Sequence, residues 1–296
     1  MVHPNVAPAF FALALSAGGI LPAAGAGEEA RFFFVHLSDP QLGFFDENRT
    51  FHREVENLRR TVEHLNRLRP ALVVITGDLI NKPGDGAQAE AYLKAIRTVD
   101  PSIPVHSISG NHDVENAPTA ASLAWYRSTF GPDRGTFAYK DCRFIFFNST
   151  LLHSPKNCPK EAEDERSWLA AELKRARRET NGHIFVLQHH PWFVETPDEA
   201  DSYHAIPRAD RQKLLPVLRE ARVTATLAGH LHRCAEARDE RMQVLVAGPV
   251  GKPLGKDPSG LRIVWVFADR IEHRYYGLDE VPAGINLRGP RDRRRL

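Results

Sequence analysis

Pro104-Val105-His106-Ser107-Ile108-Ser109-Gly110-Asn111-His112-Asp113 joins a short strand-like run to a glycine and three residues able to bind or move charge. Turns favour Asn, Asp and Gly, but nothing in turn chemistry asks for the His among them. The same arrangement, an apolar run followed by metal-ligating residue types, recurs four times. Asp39-Pro40-Gln41 follows Phe33 to Leu37, and Gly77-Asp78 follows Leu72 to Ile75. His189-His190 follows Ile184 to Leu187, and Gly229-His230-Leu231-His232 follows Val223 to Leu227. Loops beyond the carboxyl ends of strands in an open α/β sheet converge on one crevice, so five such loops predict one polar site. Taken singly, Asp39 before Pro40 and Gly77 before Asp78 also read as turn formers. His230 and His232 lie two apart and point the same way in extended structure, which suits neighbouring metals.

Between the clusters, short apolar runs alternate with charged amphipathic ones, the pattern of a layered α/β domain. Strands are predicted at 32–37, 71–76, 104–109, 144–148, 183–188, 223–228, 243–247 and 261–268. Helices are predicted at 53–69, 161–178 and 211–221; in the first, Val55, Leu58, Val62, Leu65 and Leu68 paint one face. Pro70, Pro101 and Gly182 punctuate the joins. No internal repeat, low-complexity linker or second domain is visible.

The 296 residues are 42% hydrophobic and 26% charged, which fits one globular domain rather than a disordered or membrane chain. A formal net charge of +2 makes no global electrostatic case for nucleic acid. Cys142, Cys158 and Cys234 have no metal-type spacing; Cys142 opens an apolar run and is expected to be buried, whereas Cys158 reads as an oxidisable loop thiol. Residues 8 to 26, rich in Ala, Leu, Phe and Gly, look like a secretory h-region with a small-residue cleavage site, although no Lys or Arg precedes them. A signal peptide over residues 1–26, and with it a secreted or periplasmic chain, is therefore expected; without cleavage the chain would be cytoplasmic. No other run is long and apolar enough to span a bilayer. Residues 284–296, with Arg288, Arg291, Arg293, Arg294 and Arg295, read as a solvated basic tail.

Together the clusters resemble the calcineurin-like metallophosphoesterases, whose pattern runs Asp-x-His, Gly-Asp, Gly-Asn-His-Asp/Glu, His, Gly-His-x-His. The resemblance spans roughly residues 31–280. It implies a four-layer αββα sandwich of two mixed β-sheets flanked by helices, with two divalent metal ions, Mn, Fe or Zn. Carried over position by position, it implies that Asp39 and His232 hold one metal, that Asp78 bridges both, and that Asn111, His189 and His230 hold the other. His189 is preferred to His190 because the ligand stands two residues before Pro191. Asn111, His112 and His190 would face the substrate. The ions would lower the pKa of a shared water to give a bridging hydroxide that attacks phosphorus in line. The resemblance gives His112 the protonation of the leaving oxygen, with Asp113 orienting its ring.

Gln41 departs from the wider pattern, since glutamine offers only a neutral amide oxygen where histidine offers nitrogen. The first metal should accordingly be held more weakly, with Gln41 either a direct ligand or a partner of bound water. A narrower likeness, to the calcineurin-like phosphoesterase domain-containing protein branch, absorbs that glutamine. It rests on Asp39-Pro40-Gln41, Asn116 to Thr119, Asn157-Cys158-Pro159, Gln188-His189 and the ending through Tyr275-Tyr276 and Leu278-Asp279-Glu280. That branch is associated with phosphoserine/phosphothreonine protein phosphatase activity. The expected activity is hydrolysis of a small phosphomonoester or a phosphoprotein by a monomer. The alternatives are a phosphodiesterase or pyrophosphohydrolase, and a non-catalytic binding descendant. His153, His190, Asn116, Tyr203 and His204 are candidates for the rim, and Glu195, Asp198, Glu199 and Asp201 predict an acidic edge that would favour a basic phosphopeptide.

Overall fold

The computed structural model describes residues 29–290. The expected leader and the arginines beyond 290 lie outside the described residues. The chain begins with β1 (Phe32–Leu37), α1 (His52–Leu68), β2 (Val73–Ile75), α2 (Gly86–Ile96) and β3 (Val105–Ser107). The short α3 (Asn111–Val114), then α4 (Ala120–Thr129), β4 (Gly135–Tyr139), β5 (Cys142–Phe146), α5 (Ser149–His153) and α6 (Pro159–Glu179) follow. The rest is β6 (Ile184–Leu187), α7 (Arg208–Glu220), β7 (Ala225–Ala228), β8 (Ala235–Asp239), β9 (Met242–Val246), β10 (Gly260–Val266) and β11 (Ile271–Gly277).

Two mixed sheets result, ordered β11-β10-β1-β2-β3 and β4-β5-β6-β7-β9-β8. The strands that carry the polar clusters are parallel neighbours: β1, β2 and β3 in one sheet, β6 and β7 in the other. Antiparallel strands β11, β4 and β8 close three of the four edges, and the parallel β3 closes the fourth. The period of two along β1 sorts its side chains, with Phe32 and Phe34 in the layer between the sheets and Phe33, Val35 and Leu37 toward the helices. In the middle layer Phe34 meets Phe185 edge-on at 5.3 Å, and Phe144 stacks on Phe185 at 4.8 Å. Leu58, Val62 and Leu65 of α1 cover the outer face of the first sheet. Leu169 and Leu173 of α6 and Leu214 and Leu218 of α7 cover the second. The layers are therefore helix, sheet, sheet, helix, the αββα sandwich expected.

Local chemistry sets the element ends. Arg69 closes α1 in the left-handed region at φ 52°, and Pro70 forbids its continuation. Asp85 caps α2 by accepting from the N–H groups of Ala87 and Gln88, both at 3.1 Å. Several expectations need correcting. The edge strands β4, β8 and β11 and the helices α2 and α4 were not foreseen, and most predicted strands end a residue or two early or late. Cys158 is not an exposed loop thiol: it is buried at the start of α6, where its Sγ donates to the carbonyl of Pro118 at 3.3 Å. The solvated tail does not begin at 284, because Ile285 and Leu287 pack on the core, Ala30 N–H donates to Leu287 O, and Trp265 Nε1 donates to Asn286 O. Among the described residues no helix is long and apolar enough to cross a membrane.

Candidate metal centre

The parallel order of β1, β2 and β3 carries their ladder past the strand ends and ties the polar loops together. Asp39 N–H donates to Gly77 O at 3.1 Å and Gln41 N–H to Asp78 O at 2.8 Å. On the second sheet Gly229 N–H donates to His189 O at 3.0 Å. Asp39, Gln41, Asp78, His230 and His232 all lie in the left-handed region, with φ of 49°, 39°, 50°, 71° and 51°. Such conformations cost about 1–3 kcal/mol each and persist where the surroundings impose them, as at functional sites. Gly229 and Gly110 have a plainer origin: a Cβ on the first would collide with Ser38 Oγ, and on the second with Asp78.

Five side chains converge where the two sheets' loops meet. Asp39, Asp78 and His232 form one group and Asp78, His189 and His230 another, each with its ligand atoms within 4.8 Å of one another. Asp78 is common to both. His189 Nε2 stands 3.3 Å from Asp78 Oδ2, 2.9 Å from Asn111 Oδ1 and 3.2 Å from His230 Nδ1. His232 Nε2 is 3.5 Å from Asp39 Oδ1.

The far nitrogen of every histidine in these groups faces a backbone carbonyl. His189 Nδ1 meets Thr76 O at 2.8 Å, His230 Nε2 meets Tyr203 O at 3.0 Å, and His232 Nδ1 meets Lys252 O at 2.6 Å. A carbonyl only accepts, so that nitrogen must carry the proton and the inward nitrogen of the neutral ring keeps its lone pair. This is how metal-ligating histidines are oriented. Gln41 donates from Nε2 to Asn81 Oδ1 at 3.1 Å, while its Oε1 is buried without a hydrogen-bond partner. A buried amide oxygen with no hydrogen-bond partner, on the loop that carries Asp39, fits a cation ligand. The residues present therefore fit two divalent ions.

His112 lies on α3 beside this cluster. Its N–H donates to Asp78 Oδ1 at 2.8 Å and its ring Nδ1 meets the carbonyl of Asn81 at 2.8 Å. Asp113 does not orient that ring. Its Oδ1 accepts from the N–H groups of Leu79 and Ile80 at 2.9 and 3.1 Å, and its Oδ2 accepts from Gly110 N–H at 2.7 Å. The carboxylate clamps the β2 and β3 loops to each other, and Asn81 does the work expected of it. His190 joins neither metal group; it is buried, bonded through Nδ1 to Ser149 Oγ at 3.1 Å, and stacked on His153 at 4.4 Å.

Residues 34–234 match the calcineurin-like phosphoesterase family. The chain belongs to that family. The phosphoesterase is 35% identical to the serine/threonine-protein phosphatase CPPED1 of Pongo abelii, over 84% of this chain and 85% of that protein. It is 30% identical to a probable cyclic nucleotide phosphodiesterase of Rhodococcus erythropolis, over 87% of this chain and 85% of that one. Among solved structures, a dimetal phosphatase from Danio rerio superposes with a TM-score of 0.60 at 19% identity, covering 85% of this chain and 98% of that one.

Electrostatics in the phosphoesterase follow from burying two carboxylates together. Burial opposes a charge on His189, but the carboxylates of Asp78 and Asp39 outweigh it and raise the ring to about 9. Burial also pushes Asp39 up, while His189 and His112 hold Asp78 below the usual carboxylate range against its own burial. Burial, with the charge on His189 behind it, lowers His230 to about 3. A proton on His189 occupies the place in the charge balance that a cation would take.

The rim differs from expectation. Asn116 Oδ1 accepts from Asn111 Nδ2 at 2.7 Å, and Tyr203 Oη lies 3.2 Å from the same amide. The acidic edge is partly offset by two arginines of α7. Glu199 accepts from the N–H groups of Val194, Glu195 and Thr196, and the buried Arg211 lies 4.0 Å from Glu199 and 3.8 Å from Asp201. Arg208 stands 3.9 Å from Asp198. Asn81 and the carbonyls of Thr76, Tyr203 and Lys252 escaped the sequence: a carbonyl leaves no residue-type signature, and Asn81 ends an apolar Leu79-Ile80 run as a turn residue would.

Proposed function

We propose that this phosphoesterase is a dinuclear-metal phosphatase that hydrolyses phosphomonoesters, with phosphoserine and phosphothreonine as the relevant ester class. The observation that carries it is Asp78 shared by two ligand groups, since one carboxylate can bridge two cations at the ~3.5 to 4 Å spacing of two-metal sites. Asp39, Gln41, Asp78 and His232 would hold one ion, and Asp78, Asn111, His189 and His230 the other. Their oxygen and imidazole mix suits Mn, Fe or Zn. Such ions supply Lewis acidity toward phosphoryl oxygens and an activated water. The chain supplies the rest. His112 donates a proton from Nε2 to the leaving ester oxygen, and the Asn81 carbonyl, 2.8 Å from Nδ1, holds the ring at that angle and accepts from its other N–H. The name of the 35% identical phosphatase relative supports the monoester class. The Asp39-Pro40-Gln41 motif of this chain supports the narrower branch to which the sequence is similar.

The test is the purified, Mn-loaded protein assayed on p-nitrophenyl phosphate, bis(p-nitrophenyl) phosphate and a phosphoserine peptide, beside His230→Ala. Monoester and peptide turnover above that variant is expected. Preference for the diester would transfer the chain to the activity named for its Rhodococcus relative, and parity with His230→Ala on all three would make it a binding protein.

A further inference from the structure

Asp39 ends a line of buried polar side chains that the reading of the centre leaves unused. His36, Ser38 and Thr76 are, like Asp39, wholly buried. His36 lies in β1 on the face it shares with Phe32 and Phe34, toward the second sheet. Thr76 follows β2, the parallel neighbour of β1, so the ends of the two strands bring these side chains together. His36 Nε2 lies 2.9 Å from Thr76 Oγ1, Thr76 Oγ1 lies 2.9 Å from Ser38 Oγ, and Ser38 Oγ lies 2.5 Å from Asp39 Oδ2.

The direction of these bonds follows from what each atom can do. An ionised carboxylate only accepts, so Ser38 donates to Asp39. The Ser38 oxygen then accepts from the Thr76 hydroxyl, and Thr76 Oγ1 accepts in turn from His36. His36 Nδ1 is buried with no hydrogen-bond partner. A proton there would be an unpaired buried N–H, the rarer kind of orphan, so it sits on Nε2 and points at Thr76. Burial, with the neighbouring Arg262 behind it, pushes the His36 ring well below its ordinary value, which leaves it this single N–H. Three donors thus point one way and polarise one another toward Asp39 Oδ2.

The two oxygens of Asp39 are left unlike. Oδ2 accepts from Ser38 and, at 3.1 Å, from His230 N–H. Oδ1 shares that N–H at 3.2 Å and faces His232 Nε2 at 3.5 Å, within the group completed by Asp78. Gly229 is what lets the His230 loop pass over this pair, since a Cβ there would run into both Ser38 Oγ and Asp39 Oδ2.

We propose that His36, Thr76 and Ser38 are positioning residues for the ion that Asp39 shares with His232, holding the carboxylate by Oδ2 so that it offers the cation Oδ1 alone. This rests on the dinuclear phosphatase reading and adds three residues to it. Carboxylates that ligate metals are held by hydrogen bonds of this kind, and the removal of such a partner weakens the ion rather than the fold.

Thr76→Val and Thr76→Ser separate the role from packing. Valine keeps the shape of threonine without the hydroxyl, serine keeps the hydroxyl without the methyl, and the Thr76 carbonyl that orients His189 remains in both. Each protein is titrated with Mn²⁺, the unbound ion being counted by its EPR signal, and p-nitrophenyl phosphate turnover is recorded alongside. Thr76→Val is expected to weaken one of two bound ions about ten- to 100-fold and to leave the other in place, while Thr76→Ser binds both as the wild type does. Ser38→Ala, which removes the last donor, should weaken the same ion at least as much. Thermal melting of the metal-free proteins should be alike for all of them. The opposite pattern, with valine harmless and serine damaging, overturns the proposal, as do two unweakened ions in both Thr76→Val and Ser38→Ala. If the monoester is turned over and both variants keep both ions, the positioning role fails and the phosphatase reading stands. If Thr76→Val and Ser38→Ala weaken one ion, Thr76→Ser does not, and the wild type turns over no ester, the positioning role stands and that reading fails.

Discussion

The two sheets contribute unlike halves to the centre. Loops after β1, β2 and β3 bring the oxygen-bearing candidates, namely Asp39, Gln41, Asp78 and Asn111, while loops after β6 and β7 bring the imidazole candidates, His189, His230 and His232. The first half carries the buried negative charge that makes a cation necessary. The second carries rings aimed by backbone carbonyls, so it supplies direction rather than charge. Neither half can bind a divalent ion tightly alone, and the site exists only where the two sheets' ends meet.

The largest break in this comparison is Asp78→Ala. It removes the one side chain shared by both groups, and loss of both ions with a fall in kcat of ~10³-fold or more is expected, read by metal analysis and p-nitrophenyl phosphate turnover. Retention of two ions would show that the halves do not depend on a shared carboxylate. His112→Ala should lower kcat about 10²- to 10³-fold with both ions retained if, as proposed, its ring donates to the leaving oxygen and holds no metal. Equal loss of metal would place His112 with the donors instead.

A pH titration of metal affinity sharpens the same contrast. With no metal, His189 is raised to about 9, above its ordinary value of 6.5, so its charged form stabilises the fold fully below pH 6.5 and less as pH climbs through 9. A cation must displace that proton. Affinity should therefore rise about tenfold per pH unit toward pH 9 and then level, measured by competition with a chelator of known pH dependence. A flat profile across this range would remove the proton from His189. The smallest effect is expected from Gln41→His, which puts a nitrogen in the oxygen half. Release of the more weakly held ion to EDTA should slow about three- to ten-fold, and unchanged release would mean that Gln41 Oε1 does not touch the metal.

Much of the centre was legible because its residue types are rare in turns and stand at fixed places after apolar runs. His112 between Asn111 and Asp113, and His230 two before His232, were each informative alone. Asp113 shows the limit. Its neighbour in sequence is His112, but α3 turns its carboxylate back onto the N–H groups of Gly110, Leu79 and Ile80, and adjacency in sequence said nothing of that. Strands with both faces buried, such as β1 and β6, announce themselves as continuous apolar runs. The edge strand β8, Ala235–Asp239, alternates charge with alanine and is a strand only because β9 offers it a partner. Helix α2 buries just Gln88, Ala89 and Tyr92, too thin a stripe to register as a helical face.

The sequence by itself determined the family, the layered α/β class and the residues able to bind two cations, because composition and spacing along single strands are local properties. Only the tertiary structure decided which nitrogen of each histidine faces inward and that Asn81 rather than Asp113 steadies His112. Each of those depends on a backbone carbonyl from a loop distant in the chain, and the packing of the loops at the sheets' ends is what brings it within hydrogen-bond reach.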